Sequence, residues 1–325
     1  MNLDRPNVVI VGAGAMGCLF GGLLAEGGLD VTLVDIWRDH VDAIDKGGLG
    51  IVGFGGDRTI RIRATTEPAG IASADVVFFQ CKAFANAAAA AAVSHLFGSR
   101  PTLAISFQNG LGNEETLSRA LGEANVMGGL TAQGATIVAP GVVRNFGDLP
   151  TYVGEMTGGL SDRARRLAAS LSRHGLPTRA SADIKRDKWK KLLGNVGLSA
   201  TSGATDLTSV EIMRVPELRA TVFRAVEEAA AVASACGIDL DVDEAREVLL
   251  RLADTAGGGT GNSKSSLRAD LANRRKTEVD YIYGSVARLG HEHGVPTPTI
   301  DTLIGIVKGL ESSYLTTKAE QANDR

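Results

Sequence analysis

Six residues, Gly12-Ala13-Gly14-Ala15-Met16-Gly17, have the spacing of a turn built to hold a pyrophosphate. A short β-branched apolar run, Asn7–Val11, precedes them, and a helix-like stretch, Cys18–Glu26, follows. Gly12 permits the tight turn, Gly14 lets the backbone approach the phosphates at the helix N-terminus, and Gly17 allows the helix to pack closely on the strand. A glycine pattern alone is weak, but here the strand, the helix and a following acid are all present. That acid is Asp35, which closes the next apolar run, Asp30–Asp35, near the spacing of about 20 residues that such sites use. A carboxylate there accepts hydrogen bonds from the adenosine ribose and repels a 2′-phosphate, so NAD(H) is favoured over NADP(H). Arg38 argues the other way if it bends back to a phosphate, and otherwise is a solvated helix start.

Other polar groups stand at strand ends, where ligands sit in open α/β sheets. Gln80-Cys81-Lys82 ends one apolar run and Gln108-Asn109-Gly110 the next. Lys82 is poorly placed as a helix-start cation, which raises the case for a function, and Asn109-Gly110 can equally be a plain turn. In Ile184–Ser199, Trp189, Leu192, Leu193 and Val196 share one helical face, while Lys191, Asn195 and Ser199 repeat every four residues on another. From spacing alone a solvated polar face is the simpler reading of those three, and Ser266 and Glu278, in a charge-rich stretch, also read as solvent-facing.

The elements that must position these groups change character along the chain. Ala74–Gln80 and Thr102–Phe107 are further buried strands, with an alanine-rich helix, Phe84–Val93, between them. This β-α-β rhythm predicts a parallel sheet covered on both faces. Gly47–Gly56 with Thr59–Arg63 reads as a small hairpin, and Asn125–Leu130, Ala135–Ala139 and Thr151–Val153 as later strands, with a turn at Pro140-Gly141. Beyond Asp183 the pattern predicts only helices: Ile184–Ser199, Glu217–Cys236, Val242–Asp254, Ser265–His291 and Thr299–Tyr314. With 325 residues, two domains are expected, an α/β Rossmann-type dinucleotide-binding domain at 1–181 and an all-α substrate-binding domain at 182–325. A formal charge of −3 offers no basic field for nucleic acid. Cys18, Cys81 and Cys236 have no metal-ligand spacing and suit a reducing compartment, and no apolar stretch is long enough to cross a membrane. The expectation is a cytoplasmic protein with no metal, no membrane and no nucleic-acid partner.

Taken together, these segments resemble the ketopantoate reductases, relatives of the 6-phosphogluconate and 3-hydroxyacid dehydrogenases. The resemblance spans nearly the whole chain. It is carried by GAGAMG at Gly12–Gly17, QCKAF at Gln80–Phe84, QNG at Gln108–Gly110, KWKKLLGN at Lys188–Asn195, SSLRADL at Ser265–Leu271, TEVDYIYG at Thr277–Gly284 and HGVPTP at His293–Pro298. It implies a 6-phosphogluconate-dehydrogenase-like fold with Lys191 as the catalytic lysine and Glu278 as the glutamate near the nicotinamide ribose and catalytic centre. Asn195 and Ser266 would bind substrate. Lys82 and Asn109 would lie at the nicotinamide end, Asn109 also reaching substrate, and Gly134 would give a backbone contact to the cofactor. Two departures qualify this: Ser199 stands where the family commonly has a second asparagine, and Ile36 where NADP-dependent members commonly have arginine. Some members act instead as NAD-dependent D-2-hydroxyacid dehydrogenases.

The resemblance predicts reduction of 2-dehydropantoate to (R)-pantoate. Lys191 would polarise and protonate the ketone oxygen, and Asn195, Ser199 and Ser266 would orient the small-molecule 2-oxo acid. The alternatives are another branched or aromatic 2-oxo acid reduced with NADH, and a dinucleotide-sensing protein without catalysis, against which Lys191, Glu278 and Asn109 together speak. A homodimer through the helical domain is the family expectation.

Overall fold

A computed structural model of the chain divides into two units: Met1–Gln108 with Gly112–Asp187, and Asn109–Leu111 with Lys188–Arg325. The described residues are 1–98, 100–253 and 265–323. Among the described residues of the first unit, twelve strands are interspersed with five α-helices. The strands are β1 (Val8–Val11), β2 (Val31–Val34), β3 (Leu49–Gly53), β4 (Arg58–Ile60), β5 (Arg63–Thr65) and β6 (Val76–Phe79). They continue as β7 (Leu103–Ser106), β8 (Val126–Thr131), β9 (Ala135–Ala139), β10 (Val142–Asn145), β11 (Thr151–Glu155) and β12 (Thr178–Ser181). The helices are α1 (Ala15–Glu26), α2 (Arg38–Gly47), α3 (Asn86–Ala92), α4 (Asn113–Leu121) and α5 (Asp162–Arg173).

Eight strands form one sheet in the order β12-β11-β8-β7-β6-β1-β2-β5, all neighbours parallel except β8 with β11. The unbroken apolar runs follow from burial on both faces. Val8, Ile10, Leu33, Phe78 and Ile105 enter the core on one side, while Val9, Val11, Val34, Phe79 and Ala104 enter a second core on the other. The expected hairpin forms, with β3 antiparallel to β4 and Leu49 opposite Ile60. Arg63 leaves it to begin β5 beside β2. After the Pro140-Gly141 turn, β10 pairs with both β9 and β3 and so joins the hairpin into a second sheet, β4-β3-β10-β9. That strand, α5 and β12 are absent from the sequence reading.

The helices that follow are α6 (Ile184–Thr205), α7 (Ser209–Arg214), α8 (Pro216–Ala235), α9 (Val242–Ala253), α10 (Ser266–Ala272), α11 (Val279–Ile282), α12 (Gly284–His293) and α13 (Pro298–Asn323). Asp254, expected to end the ninth, lies outside the described residues. Trp189, Leu192, Leu193 and Val196 are buried, as their spacing predicts, in a core with Val222, Val226, Leu249, Leu267 and Tyr283. The single helix expected over Ser265–His291 is instead three. After α10 the chain turns at Arg274, whose φ is +50°, and Arg275 N–H closes back on the Asp270 carbonyl at 2.9 Å. That left-handed residue ends a helix whose last carbonyls need partners. The second break, at Tyr283, is slight, since Tyr283 N–H still reaches the Val279 carbonyl at 2.9 Å. No described helix is long and apolar enough to cross a membrane.

Candidate active site

The glycine turn has the geometry its residues require. Gly12 has φ +103°, and a Cβ on it would lie 2.2 Å from the Cys81 nitrogen. A Cβ on Gly17 would lie 1.9 Å from the Gly12 carbonyl oxygen, so α1 starts in contact with the turn. At Gly14 the space is open: nothing stands within 4 Å of where a Cβ would be. Gly14 is the N-cap of α1, with no side-chain cap and no acid in the first turn. The N–H groups that begin a helix have no partners within it, and no side chain caps them here. This cradle fits a dinucleotide pyrophosphate.

Asp35 Oδ1 accepts the Trp37 N–H at 2.9 Å, and its own N–H donates to the Thr65 carbonyl at 3.2 Å. Beyond it Ile36 is 97% exposed. Trp37 stacks on His40 at 4.9 Å with 14° between the planes. His40 Nδ1 accepts the Gly141 N–H at 3.0 Å, so Nε2 carries the proton toward Cys18 Sγ, 3.3 Å away. Cys18 in turn lies 3.1 Å from the Ala13 carbonyl, and burial holds its thiol protonated, well above its usual range. This buried ring and thiol buttress the glycine turn from beneath.

At the ends of β6 and β7 an amide network does the positioning. Gln108 Nε2 donates to the Cys81 carbonyl and to Asn86 Oδ1, each at 2.6 Å, and Gln108 Oε1 accepts from Ser106 Oγ at 2.9 Å. Asn86 Nδ2 continues to Asn113 Oδ1 at 2.9 Å. Gln108 is thus a clamp on the segment that carries Lys82. Lys82 itself is partly buried at the N-cap of the short turn Ala83–Ala85. Gly134 lies between β8 and β9, its carbonyl accepting the Phe146 N–H at 3.1 Å.

In the helical unit Lys191, Asn109 and Glu278 come together. Lys191 Nζ donates to Asn109 Oδ1 at 2.9 Å. The short segment 109–111 is fixed to this unit by the Leu111 N–H, which donates to the Tyr281 carbonyl at 3.0 Å. Gly110 makes that approach feasible: with φ +81°, a Cβ on it would lie 2.2 Å from the Tyr281 oxygen. Burial lowers the Lys191 pKa from 10.5 to about 8; the charge of Lys188 lowers it further, while the Glu278 carboxylate opposes both. Glu278 is buried at the start of α11. A solvated polar face is therefore not what Lys191 occupies.

Asn195 and Ser199 follow on α6, partly buried and buried respectively. Between them stands a side chain the sequence reading passed over. The Tyr283 hydroxyl donates to the Asn195 carbonyl at 3.0 Å and accepts the Ala200 N–H at 2.7 Å. A side chain placed across a helix's own ladder fixes its local course, here between the two polar residues. Ser265 caps α10, accepting the Arg268 N–H at 3.1 Å, and its hydroxyl lies 3.5 Å from the Ser199 carbonyl. Ser266, next in the chain, is exposed in the first turn. The signal for Tyr283 was an aromatic with a polar tip in an otherwise apolar helical face, within the TEVDYIYG segment.

Comparison with known proteins identifies the family. Residues 8–158 match the family "Ketopantoate reductase PanE/ApbA", and 183–311 match "Ketopantoate reductase PanE/ApbA C terminal". The chain is 33% identical over 305 residues to the 2-dehydropantoate 2-reductase of Halobacterium salinarum, covering 93% of this chain and 97% of that one. The corresponding enzyme of Archaeoglobus fulgidus is 30% identical over 306 residues, 94% of this chain and 98% of its own. Among solved structures, a ternary complex of D-mandelate dehydrogenase with NADH and anilino(oxo)acetate superimposes with a TM-score of 0.89 at 28% identity, covering 94% of this chain and 98% of that one. A ketopantoate reductase of the same family from Ralstonia eutropha gives 0.86 at 30% identity, covering 94% and 99%. Both the strand-rich and the helical portions are matched, each by the model of its own half, and the chain belongs to the ketopantoate reductase family.

Proposed function

We propose that this protein reduces the ketone of a 2-oxo acid with NADH, and that the substrate is 2-dehydropantoate, giving (R)-pantoate. The observation that carries the reading is Lys191: a partly buried ammonium with a pKa of about 8, hydrogen-bonded to Asn109 and within the field of the Glu278 carboxylate. Such a group is charged at neutral pH yet releases its proton readily, as an acid for a ketone oxygen must. The cradle at Gly12–Gly17 is where a nicotinamide dinucleotide fits, and when bound it supplies the hydride.

The residues of the chain then do the following. Lys191 Nζ donates to the ketone oxygen, stabilises the negative charge that grows there and passes it a proton. Asn109 holds the ammonium in place through its Oδ1. Glu278 favours the charged lysine and offsets its desolvation. Asn195, Ser199 and Ser266 orient the acid, Lys82 lies at the nicotinamide end, and Gly134 gives the cofactor a backbone contact. Asp35 is the reason for NADH over NADPH: it offers a carboxylate to the ribose hydroxyls, with the uncharged Ile36 beside it. A cytoplasmic homodimer goes with the family reading.

One observation favours a second substrate class. Ser199 replaces the amide that the resemblance predicts, and a D-mandelate dehydrogenase is among the similar structures. Reduction of an aromatic or branched 2-oxo acid without a 4-hydroxyl is that alternative. The test is turnover with NADH and NADPH over a panel of 2-dehydropantoate, its analogue lacking the 4-hydroxyl, and phenylglyoxylate. The highest kcat/KM falls on 2-dehydropantoate with NADH if the proposal holds. A maximum on phenylglyoxylate assigns the alternative, and no turnover of any acid sinks both.

A further inference from the structure

Beyond the end of β8 the large sheet holds a side chain that the proposed chemistry leaves unused. Gln133 is 8% exposed, and neither its Nε2 nor its Oε1 has a hydrogen-bond partner. The backbone around it is held: its N–H donates to Thr131 Oγ1 at 3.1 Å, and the next carbonyl, of Gly134, accepts the Phe146 N–H at 3.1 Å. The nearby Thr131 hydroxyl is already engaged with Thr151 Oγ1 at 3.0 Å. A buried amide with both halves unsatisfied is costly to the free protein and calls for an explanation.

The missing partner must offer both a donor and an acceptor. A carboxylate or a phosphate would satisfy only the NH2 group and leave Oε1 orphaned. Another primary amide satisfies both atoms at once. The position narrows the choice. In the order β8-β7-β6-β1-β2, the strand β8 lies on the side of β1 away from β2, which leads into Asp35. These strands are parallel, so Gln133 and the glycine turn follow strand ends on the same edge. Three strand spacings, roughly 14 Å, separate β8 from β1. On the reading above, Asp35 takes the adenosine and the turn takes the pyrophosphate, so the opposite direction is that of the nicotinamide.

We propose that the Gln133 amide pairs with the nicotinamide carboxamide and so sets the rotation of the ring. This rests on the dinucleotide reading of the glycine turn. The test is calorimetric titration of wild type and Gln133→Met with NADH and with ADP-ribose, which lacks the nicotinamide. Gln133→Met should raise the Kd for NADH about ten-fold or more and leave that for ADP-ribose within about two-fold. The melting temperature of the ligand-free variant should stay level or rise, because the orphaned amide is gone. In wild type, NAD+ should bind more tightly than its 3-acetylpyridine analogue, in which a methyl replaces the amide nitrogen; this comparison stands even if the variant fails to fold. Equal weakening of NADH and ADP-ribose, an unchanged NADH affinity, or equal wild-type binding of NAD+ and the analogue overturns the proposal. Wild type that binds neither NADH nor ADP-ribose overturns the dinucleotide reading first, and this proposal with it.

Discussion

Lys191 should give the protein two pH dependences of opposite sign. Burial first, and then the charge of Lys188, bring its pKa from 10.5 to about 8 against the pull of Glu278. On the proposed role, reduction needs the proton on Nζ, so kcat/KM should be level below about pH 8 and fall about ten-fold per pH unit above it. Stability runs the other way. Between about pH 8 and 10.5 the unfolded chain holds this proton and the folded one does not, so stability rises with pH across that window. Below pH 8 both states are protonated and the cost of burying the charge is fully present. From 10.5 to about 8, at about 1.4 kcal/mol per pH unit, that cost has an upper bound of about 3.5 kcal/mol. Partial solvent access reduces it to roughly 1–2 kcal/mol. Lys191→Met should therefore lower kcat by about 10²–10⁴-fold and yet stabilise the ligand-free protein at pH 7, with the gain gone by about pH 10.5. Urea unfolding at the two pH values and steady-state kinetics read both effects. Lys190→Met is the control, since Lys190 pairs with Glu244 at the surface at 2.6 Å. A rate that is level through pH 10, or equal and mild losses in the two variants, would refute the assignment.

Three further outcomes follow from the same geometry. Asp35→Ala should raise the NADPH-to-NADH ratio of kcat/KM by about ten-fold or more, because it removes both a ribose acceptor and a repulsive charge; a wild-type preference for NADPH would put Arg38 or another cation in control. Ser199→Asn should sharpen the preference for 2-dehydropantoate over its 4-deoxy analogue, since an amide can pair with a hydroxyl that the shorter serine leaves unmet. An unchanged ratio of kcat/KM would mean that other residues read that hydroxyl. Tyr283→Phe leaves the Asn195 carbonyl and the Ala200 N–H without their partner, and should cost about 1–3 kcal/mol in denaturant unfolding; undiminished stability would show that the helix closes its own ladder there.

What the sequence displayed best were the features governed by near neighbours. Asn7–Val11 and Ala74–Gln80 read as buried strands because the residues that form them, Val8–Val11 and Val76–Phe79, are all apolar. The glycine turn was legible because its three glycines each answer a local demand. The second sheet was not, since β10 holds only four residues and gains its partners from β3 and β9, one of them far away in the chain. The break at Arg274 was hidden because a left-handed arginine leaves no compositional mark, unlike a glycine. Gln108 was seen as a polar strand end, but its role as a clamp depends on Asn86, which the spacing of neither run reveals. Lys191 shows the limit most clearly. Its four-residue spacing to Asn195 and Ser199 describes a polar helical face, and whether that face is wet depends on what packs over it.

What packs over it comes from a different part of the chain, and this has a consequence for how Lys191 would act in its proposed role. Asn109 sits at the end of a strand-rich sequence, yet residues 109–111 belong with the helical unit. The Leu111 N–H and the close approach at Gly110 tie them to Tyr281, three residues beyond Glu278. The lysine, the amide that holds it and the carboxylate that balances it are thus joined within one unit, through two short segments locked to each other. The Asn109 partner and the two charges that act on the pKa, Lys188 and Glu278, all lie within this unit. A preorganised donor does not have to be reoriented as charge develops on the ketone oxygen, which is where electrostatic catalysis gains most. The desolvation of Lys191 is then a standing cost carried by the helical fold, and the large apolar core under Trp189, Leu192, Leu193 and Val196 is what sustains it.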